Sequence, residues 1–295
     1  MSLSCENCNH AVHPLFRTRD LNRRVTDRTF TYAKCDTCGL VFLEDIPPDL
    51  GIYYPPSYYP LPATEQALRE SLPNEEYKIE LTRRFAPGGR LIEIGPGTGG
   101  YALLAKDAGF EVEVIEMNAE SCCFIERQLG IRAVHTANEV AALQDAAQAD
   151  VIALWHVIEH LRDPFELIAT AIRKLNPGGV LIIAAPNPLA FQFKVLRRYW
   201  AHVDAPRHVR LFPMSLIADV LRKGGLEPVL ETTTDKGSLG WNSFGWDYSF
   251  GNVTTTRLAT RIARILGRQL AKLLRPIESI EGLGAAYTVI FRKPS

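Results

Sequence analysis

No run in the 295-residue chain approaches the roughly 18 consecutive apolar residues that a membrane-spanning helix needs. The opening Met1-Ser2-Leu3-Ser4-Cys5 has no apolar signal core either, so a soluble, cytoplasmic protein is expected. Net charge is missing too. The 33 basic residues balance 33 acidic ones, which leaves no global field to draw the chain toward nucleic acid or a membrane, and any such attraction has to be local. Cysteine is sparse, six in all, and in a reducing compartment the paired spacing of four of them points to metal before disulfides. What is present, 46% hydrophobic and 22% charged residues, supplies a sizeable core for one large domain or a core domain with an appended module.

The cysteine pairs are Cys5-x-x-Cys8 and Cys35-x-x-Cys38-Gly39, separated by 26 residues. Thiolates so spaced occupy adjacent corners of a tetrahedron, and a glycine after the second lets the turn fold back with its N–H groups toward sulfur. This is the pattern of a zinc ribbon, and four thiolates would make the metal structural. Residues 1–44 set six cations (Arg17, Arg19, Arg23, Arg24, Arg28, Lys34) against five anions (Glu6, Asp20, Asp27, Asp36, Glu44), a net of +1. That surface is poor for phosphate, so the module is expected to be a scaffold packed on the rest of the chain, with no nucleic-acid partner. A strand at 40–43 closes it. Prolines and tyrosines then crowd residues 47–62, a linker or a lid in which Tyr58 or Tyr59 covers the substrate, and a helix is expected over 63–85.

The chain is organised around Leu91-Ile92-Glu93-Ile94-Gly95-Pro96-Gly97-Thr98-Gly99-Gly100. A short apolar strand runs into a glycine-dense turn and an amphipathic helix, which lets a ligand approach bare backbone at a helix N-terminus. Gly95-x-Gly97-x-x-Gly100 also satisfies the dinucleotide fingerprint, but the carboxylate of Glu93 suits an ammonium or a ribose hydroxyl better than a pyrophosphate. The stretch resembles the first motif, acid-x-Gly-x-Gly-x-Gly, of class I S-adenosylmethionine (SAM)-dependent methyltransferases. At the end of the second strand Glu116, 23 residues past Glu93, is placed to accept from both ribose hydroxyls, with Met117 against adenine or in the core. By resemblance the loop after the third strand, residues 135–138 and Ala137 among them, meets the adenine edge.

The fourth strand ends in Trp155-His156-Val157-x-Glu159-His160-Leu161-x-Asp163-Pro164, which closely resembles the corresponding motif of ubiquinone-biosynthesis-type methyltransferases. The resemblance runs in order from residue 88 to 185. It implies an α/β, Rossmann-like fold: a seven-stranded, mostly parallel sheet with helices on both faces. It also implies that Trp155 and His156 border the methionine end of SAM, while Glu159 and His160 are mainly structural.

Residues 187–213 form a long segment past the fifth strand, where open α/β sheets carry their substrate chemistry. His208 is the expected general base, since histidine alone titrates near neutrality and an attacking hydroxyl must lose a proton. His156 and Arg207 complete the expected catalytic set. Asp204-x-x-x-His208-x-x-x-Phe212 resembles the loop of zinc-ribbon sugar C-methyltransferases, which carry a Glu-His pair; Arg207 stands where that Glu would be. The departure favours O-methylation of a glycan or another polar metabolite. Aromatic and glycine residues over 237–251 shape either a pocket wall or an interface. Residues 254–275 pair a leucine and isoleucine stripe with Arg257, Arg261, Arg264, Arg268, Lys272 and Arg275 and no acid, so that helix packs on the domain or lies on an anionic membrane.

The expected organisation is therefore a zinc ribbon over 1–45, a linker or lid with a lead-in helix over 46–85, and a SAM-dependent methyltransferase domain over 86–295. Glu93, Gly95, Gly97, Glu116, Met117, Ala137 and Trp155 are the expected cofactor contacts, and Cys5, Cys8, Cys35 and Cys38 the zinc ligands. Two other functions compete: a non-catalytic SAM-binding adaptor that docks a partner or membrane through the basic helix, and an NAD-dependent sugar oxidoreductase, which lacks a Tyr-x-x-x-Lys pair here.

Overall fold

The computed structural model of the protein describes residues 4–55, 58 and 60–295, so Tyr59 lies outside the described residues. Strands β1 (Val12–Arg19), β2 (Thr29–Cys35) and β3 (Val41–Leu43) open the chain as an antiparallel meander. Helices α1 (Glu65–Arg69) and α2 (Glu76–Phe85) follow, separated by a 3-10 turn over Leu72–Asn74. The single helix expected over 63–85 is thus broken. Pro73 has no N–H to donate and its ring blocks the preceding turn.

The central sheet is built from β4 (Arg90–Ile94), β5 (Glu111–Glu116), β6 (Arg132–His135), β7 (Ala149–Trp155) and β8 (Leu175–Pro186), all parallel, alternating with α3 (Gly100–Asp107), α4 (Ala119–Phe124), α5 (Glu139–Asp145) and α6 (Pro164–Lys174). After β8 come α7 (Phe191–Leu196), the two-residue strand β9 (Arg210–Leu211), α8 (Met214–Lys223), β10 (Glu227–Thr232), α9 (Lys236–Asn252), α10 (Arg257–Glu278) and β11 (Ala286–Arg292). The sheet order is β10-β11-β8-β7-β4-β5-β6, with β11 antiparallel to both of its neighbours. Side chains alternate between two cores: Ile92, Ile152, Leu154, Leu181 and Ile183 face one layer of helices, and Leu91, Val151, Ala153, Val180 and Ile182 the other. Burial on both faces explains why these strands read as unbroken apolar runs.

The N-terminal meander is not separate from this body. β3 pairs with β9, Val41 opposite Leu211 and Phe42 opposite Arg210, so the small sheet has the order β1-β2-β3-β9 and draws its last strand from the 187–213 segment. Cys5, Cys35, Leu40 and Phe42 belong to the same buried cluster as the central strands.

The glycine- and aromatic-rich stretch over 237–251 is a helix, α9, and its aromatics form a pocket wall. Asp235 starts it by accepting from the N–H groups of Gly237 and Ser238 at 2.8 and 3.0 Å. Its glycines serve packing: at Gly245 a Cβ would run into Gln192 Oε1.

Candidate active site

The turn between β4 and α3 reaches its shape through left-handed backbone at Gly95, Gly97 and Gly99. At Gly95 a Cβ would stand 2.6 Å from Val157 Cγ2, so the turn passes tightly under the loop that follows β7. Glu93 ends the strand buried, and its Oε2 has no hydrogen-bond partner among the described residues. Burial pushes its carboxyl up to about 8, only partly offset by Lys78. Glu116 closes the neighbouring strand; its Oε1 accepts from Asn118 N at 2.8 Å and Oε2 lies 3.4 Å from Gly97 N. Burial raises its carboxyl as well.

A cavity of about 490 Å³ opens from Glu93 and Gly95–Gly97 past Trp155 and His156 to His208. Trp155 is clamped edge-on between Tyr101 and Tyr77, with ring centroids 5.5 and 6.0 Å away. The far wall comes from four separate segments: Asn22 and Arg23 of the N-terminal module, Tyr58, the 201–208 loop, and Trp241, Phe244 and Tyr248 of α9. Met117 and Ala137 stand outside this chamber at the ends of β5 and β6, both exposed, so Met117 is not a core residue.

Four histidines surround the chamber, and burial holds each below its ordinary value of 6.5. His156 falls to about 3, with Lys78 adding to the burial effect, and His160 to about 4, with His208 adding to it. His208 Nδ1 lies 2.8 Å from the His202 carbonyl. A carbonyl only accepts, so the hydrogen sits on Nδ1 and the neutral ring presents a lone pair at Nε2. Glu159 lies under this group, buried, with neither carboxyl oxygen hydrogen-bonded among the described residues. It is 3.7 Å from His156 Nδ1, and its ligand atoms and those of His160 and His208 fall within 4.8 Å of one another.

Glu159 and His160, expected to be mainly structural, therefore line the chamber. The 3-10 turn over Ile158–His160 swings both out of the strand direction, and the Tyr54 hydroxyl meets His160 Nδ1 at 2.9 Å. Arg207, expected in the catalytic set, does not line the chamber at all. Its guanidinium is fully buried and binds Asp204 at 2.8 and 2.9 Å, Asp20 at 2.6 and 3.3 Å, and the Tyr53 carbonyl at 3.0 Å. Arg210 is likewise taken, donating to Glu6 and to the Leu161 carbonyl. These arginines fasten the N-terminal module to the 201–210 loop, and what they leave facing the chamber is Asp204, with Asn22 Nδ2 at 2.5 Å and the Tyr58 hydroxyl at 3.3 Å. Sequence reasoning gave no role to Asn22, Asp204 or Trp241; Asp204 stood in the loop motif and Trp241 in an aromatic-rich stretch, while nothing pointed to Asn22.

The four N-terminal cysteines converge. Cys5 Sγ is 3.5 Å from Cys38 Sγ, Cys8 Sγ is 3.5 Å from Cys35 Sγ, and all four lie within 4.8 Å of one another. A tetrahedral zinc with bonds of about 2.3 Å sets sulfurs about 3.8 Å apart, so the set fits that ion.

Residues 69–231 match a family described as a methyltransferase domain. The chain belongs to this methyltransferase family. The ubiquinone biosynthesis O-methyltransferase of Aromatoleum aromaticum is 27% identical over 186 residues, 57% of this chain and 74% of that protein. The protein of the same name from Maricaulis maris is 29% identical over 170 residues, 52% of this chain and 67% of its own length. Among solved structures, a SAM-dependent methyltransferase from Archaeoglobus fulgidus superposes with a TM-score of 0.50 at 19% identity, covering 78% of this chain and 97% of that one. Geranyl diphosphate C-methyltransferase from Streptomyces coelicolor, solved with geranyl diphosphate and S-adenosyl-L-homocysteine, gives 0.51 at 15% identity over 78% and 84%. These likenesses establish the α/β methyltransferase fold. The enzyme is a SAM-dependent methyltransferase, which sets aside the oxidoreductase and non-catalytic adaptor readings.

Proposed function

We propose that the enzyme methylates a hydroxyl of a small polar acceptor, of the sugar, glycan or polyhydroxylated-metabolite kind. The observation that carries this reading is that one cavity is lined both by the Gly95–Gly97 turn and by His208, whose Nδ1 is engaged by the His202 carbonyl. Bound SAM supplies an electrophilic methyl group on a sulfonium. Glu93, buried and without a partner among the described residues, would take the cofactor's ammonium, which would draw its raised carboxyl into the ionised form. Backbone at Gly95 and Gly97 would hold the ribose, Glu116 would accept from its hydroxyls, Met117 and Ala137 would meet the adenine, and Trp155 would border the methionine end.

On the acceptor side, Asn22, Tyr58 and Asp204 offer one hydrogen-bonding edge and Trp241 and Phe244 a flat one. Bound SAM would supply the methyl group and leave as its thioether, and the acceptor's hydroxyl proton would pass to His208 Nε2. The His202 carbonyl keeps the ring oriented, and the Glu159 carboxylate stabilises the imidazolium that results. His156, which holds a left-handed backbone at φ +57 to reach the chamber, packs on Trp241 at 4.5 Å and sets the border between cofactor and acceptor. Arg207 acts through Asp204 as a positioning residue. Cys5, Cys8, Cys35 and Cys38 hold a structural zinc in a ribbon over 1–45, ahead of the lead-in segment 46–85 and the methyltransferase domain 86–295.

A second reading places a phenolic ring in the chamber. It is favoured by the stack of Phe244 on Tyr248, centroids 4.3 Å apart, beside Trp241, and by relatives named for ubiquinone biosynthesis. Methyl-labelled SAM offered with nucleotide-linked sugars, free glycosides and alkylated catechols separates the two. In whichever class reacts, His208→Asn keeps a donor for the His202 carbonyl but no base, and turnover falls by about a hundredfold or more with SAM affinity unchanged. Wild-type turnover in that variant would overturn the assignment of the base.

A further inference from the structure

Helix α10 turns its apolar side away from the protein. It is 22 residues long, about 33 Å, and rests on α9 through a narrow seam of small residues. A Cβ at Gly267 would stand 2.5 Å from the Trp246 carbonyl oxygen, and Ala271 is buried beside it. On the opposite side Leu258, Ile262, Leu266 and Leu273 recur at helical spacing, 71, 51, 56 and 74% exposed. Packing on the domain, the first of the two expectations for this helix, thus accounts for its glycine and alanine seam and not for its leucines. Exposed leucines and isoleucines in a continuous stripe mark a contact surface.

What covers the stripe is set by charge. Among residues 257–278 the only acid is Glu278, which is buried and accepts from Trp246 Nε1 at 3.0 Å. Along one flank of the stripe, Arg257, Arg261, Arg268, Lys272 and Arg275 are exposed. A basin of about 530 Å³ opens there, lined by Arg24, Arg257, Arg261, Arg264 and Arg268 with two threonines. Arg24 is built into it: its backbone is left-handed and its guanidinium donates to the Thr254 carbonyl at 2.6 Å and the Asn252 carbonyl at 3.2 Å. Asp247 neutralises part of Arg264 and Arg268, whereas Arg257 and Arg261 have no acidic partner among the described residues. A second copy laid against the stripe would bring two cation rows together with no acid between them. An anionic lipid surface complements both features at once. No helix among the described residues is long and apolar enough to cross a membrane, so α10 lies on the surface and does not span.

We propose that α10 docks the enzyme on an anionic bilayer, its Leu258–Leu273 stripe in the acyl boundary and lipid phosphates in the arginine basin. The test is flotation of the full-length protein with phosphatidylcholine vesicles, with and without phosphatidylglycerol. Binding is expected only with phosphatidylglycerol, weakened by added salt. Arg257→Glu with Arg261→Glu lowers the bound fraction about tenfold or more, and Leu258→Ser with Leu273→Ser does so without touching charge. Both pairs keep wild-type SAM affinity, which shows that they fold. Three results would overturn the proposal: no flotation with phosphatidylglycerol, unchanged flotation in both variants, or a concentration-dependent dimer that the variants abolish while vesicles are ignored. Saturation of the basin by inorganic phosphate without any vesicle binding would also defeat it, because the site would then serve a free anion.

Discussion

Replacing Arg207 with methionine tests whether this residue is a fastener or a catalyst. Its guanidinium makes five contacts, four to Asp20 and Asp204 and one to the Tyr53 carbonyl, with no solvent exposure. Methionine fills much of the volume, so the loss is chiefly two buried carboxylates without their cation. Breaking a buried pair from one side destabilises by about 3–5 kcal/mol. Asp20 keeps the N–H groups of Arg23 and Val25 at 3.1 and 2.9 Å, and Asp204 keeps Asn22 at 2.5 Å, which points to the lower end. About 3 kcal/mol corresponds to a fall in Tm on the order of 10 °C in a chain of this size. The pH dependence carries the sign. In the wild type, hydrogen bonds and charge from Arg207 outweigh burial and hold Asp204 below the ordinary carboxylate range. A depressed group contributes stability that is complete above its unfolded value, about 3.9, and fades as pH falls through the folded one. In the variant burial is no longer offset by Arg207, only by Asn22 and His208, and the group rises. The deficit relative to wild type is therefore largest near pH 7 and shrinks as pH falls through the variant's raised value, so that it is already smaller at about pH 4. Urea unfolding at both pH values measures it. A loss under about 1 kcal/mol at pH 7, or one that grows in acid, would refute the argument. The triple variant that adds Asp20→Asn and Asp204→Asn removes the stranded charges and should regain most of the stability.

Three further outcomes are expected. Because burial lowers the His208 value and only the neutral ring accepts a proton, kcat/KM should be level above about pH 6.5 and fall with unit slope at lower pH; a limb at or above pH 7 would point to a different base. Metal analysis should find one zinc per chain. Cys35→Ser with Cys38→Ser should remove it and also loosen the 201–210 loop, which pairs with β3, seen as faster amide exchange at Val41 and Leu211; intact zinc in that variant would dismiss the four-cysteine site. Gly95→Ala combines a left-handed φ of +67 with a Cβ 2.6 Å from Val157, so it should cost about 1–3 kcal/mol of stability and SAM affinity should drop about tenfold or more; unchanged affinity in the folded variant would mean that the cofactor does not approach this turn.

The glycine turn and the strands that flank it were legible because their signals are local. A strand, its terminal acid and a glycine turn lie within ten residues, and the turn's chemistry follows from the need for left-handed backbone at Gly95, Gly97 and Gly99. The same holds for the cysteine pairs, whose internal spacing already fixes two corners of a tetrahedron each. Residues 63–85 and 237–251 fared differently. In the first, Pro73 outweighed good helical periodicity. In the second, the choice between pocket wall and interface depended on a helix whose Gly245 is a contact point against Gln192, and which α10 crosses at its own Gly267.

The acceptor half was not legible, and the reason is sequence separation. Asn22 meets Asp204 across 182 residues and Arg207 meets Asp20 across 187, while Tyr54 reaches His160 across 106. No periodicity or motif encodes such pairs; they follow from β3 pairing with β9, which places the N-terminal module beside the 201–208 loop. This also explains why Arg207 misled. An arginine next to a candidate base reads as a ligand-binding donor until a buried Asp20 from another module is seen to occupy it. The proposed base and the groups that shape its chamber thus depend on different parts of the chain: His208 is oriented from within its own loop by His202, but the wall facing it is lent by Asn22, Arg23 and Tyr58. A lesion in the N-terminal module should accordingly change acceptor KM and specificity before it changes SAM affinity, because no hydrogen bond or ion pair among the described residues joins 4–45 to the Gly95–Gly97 turn.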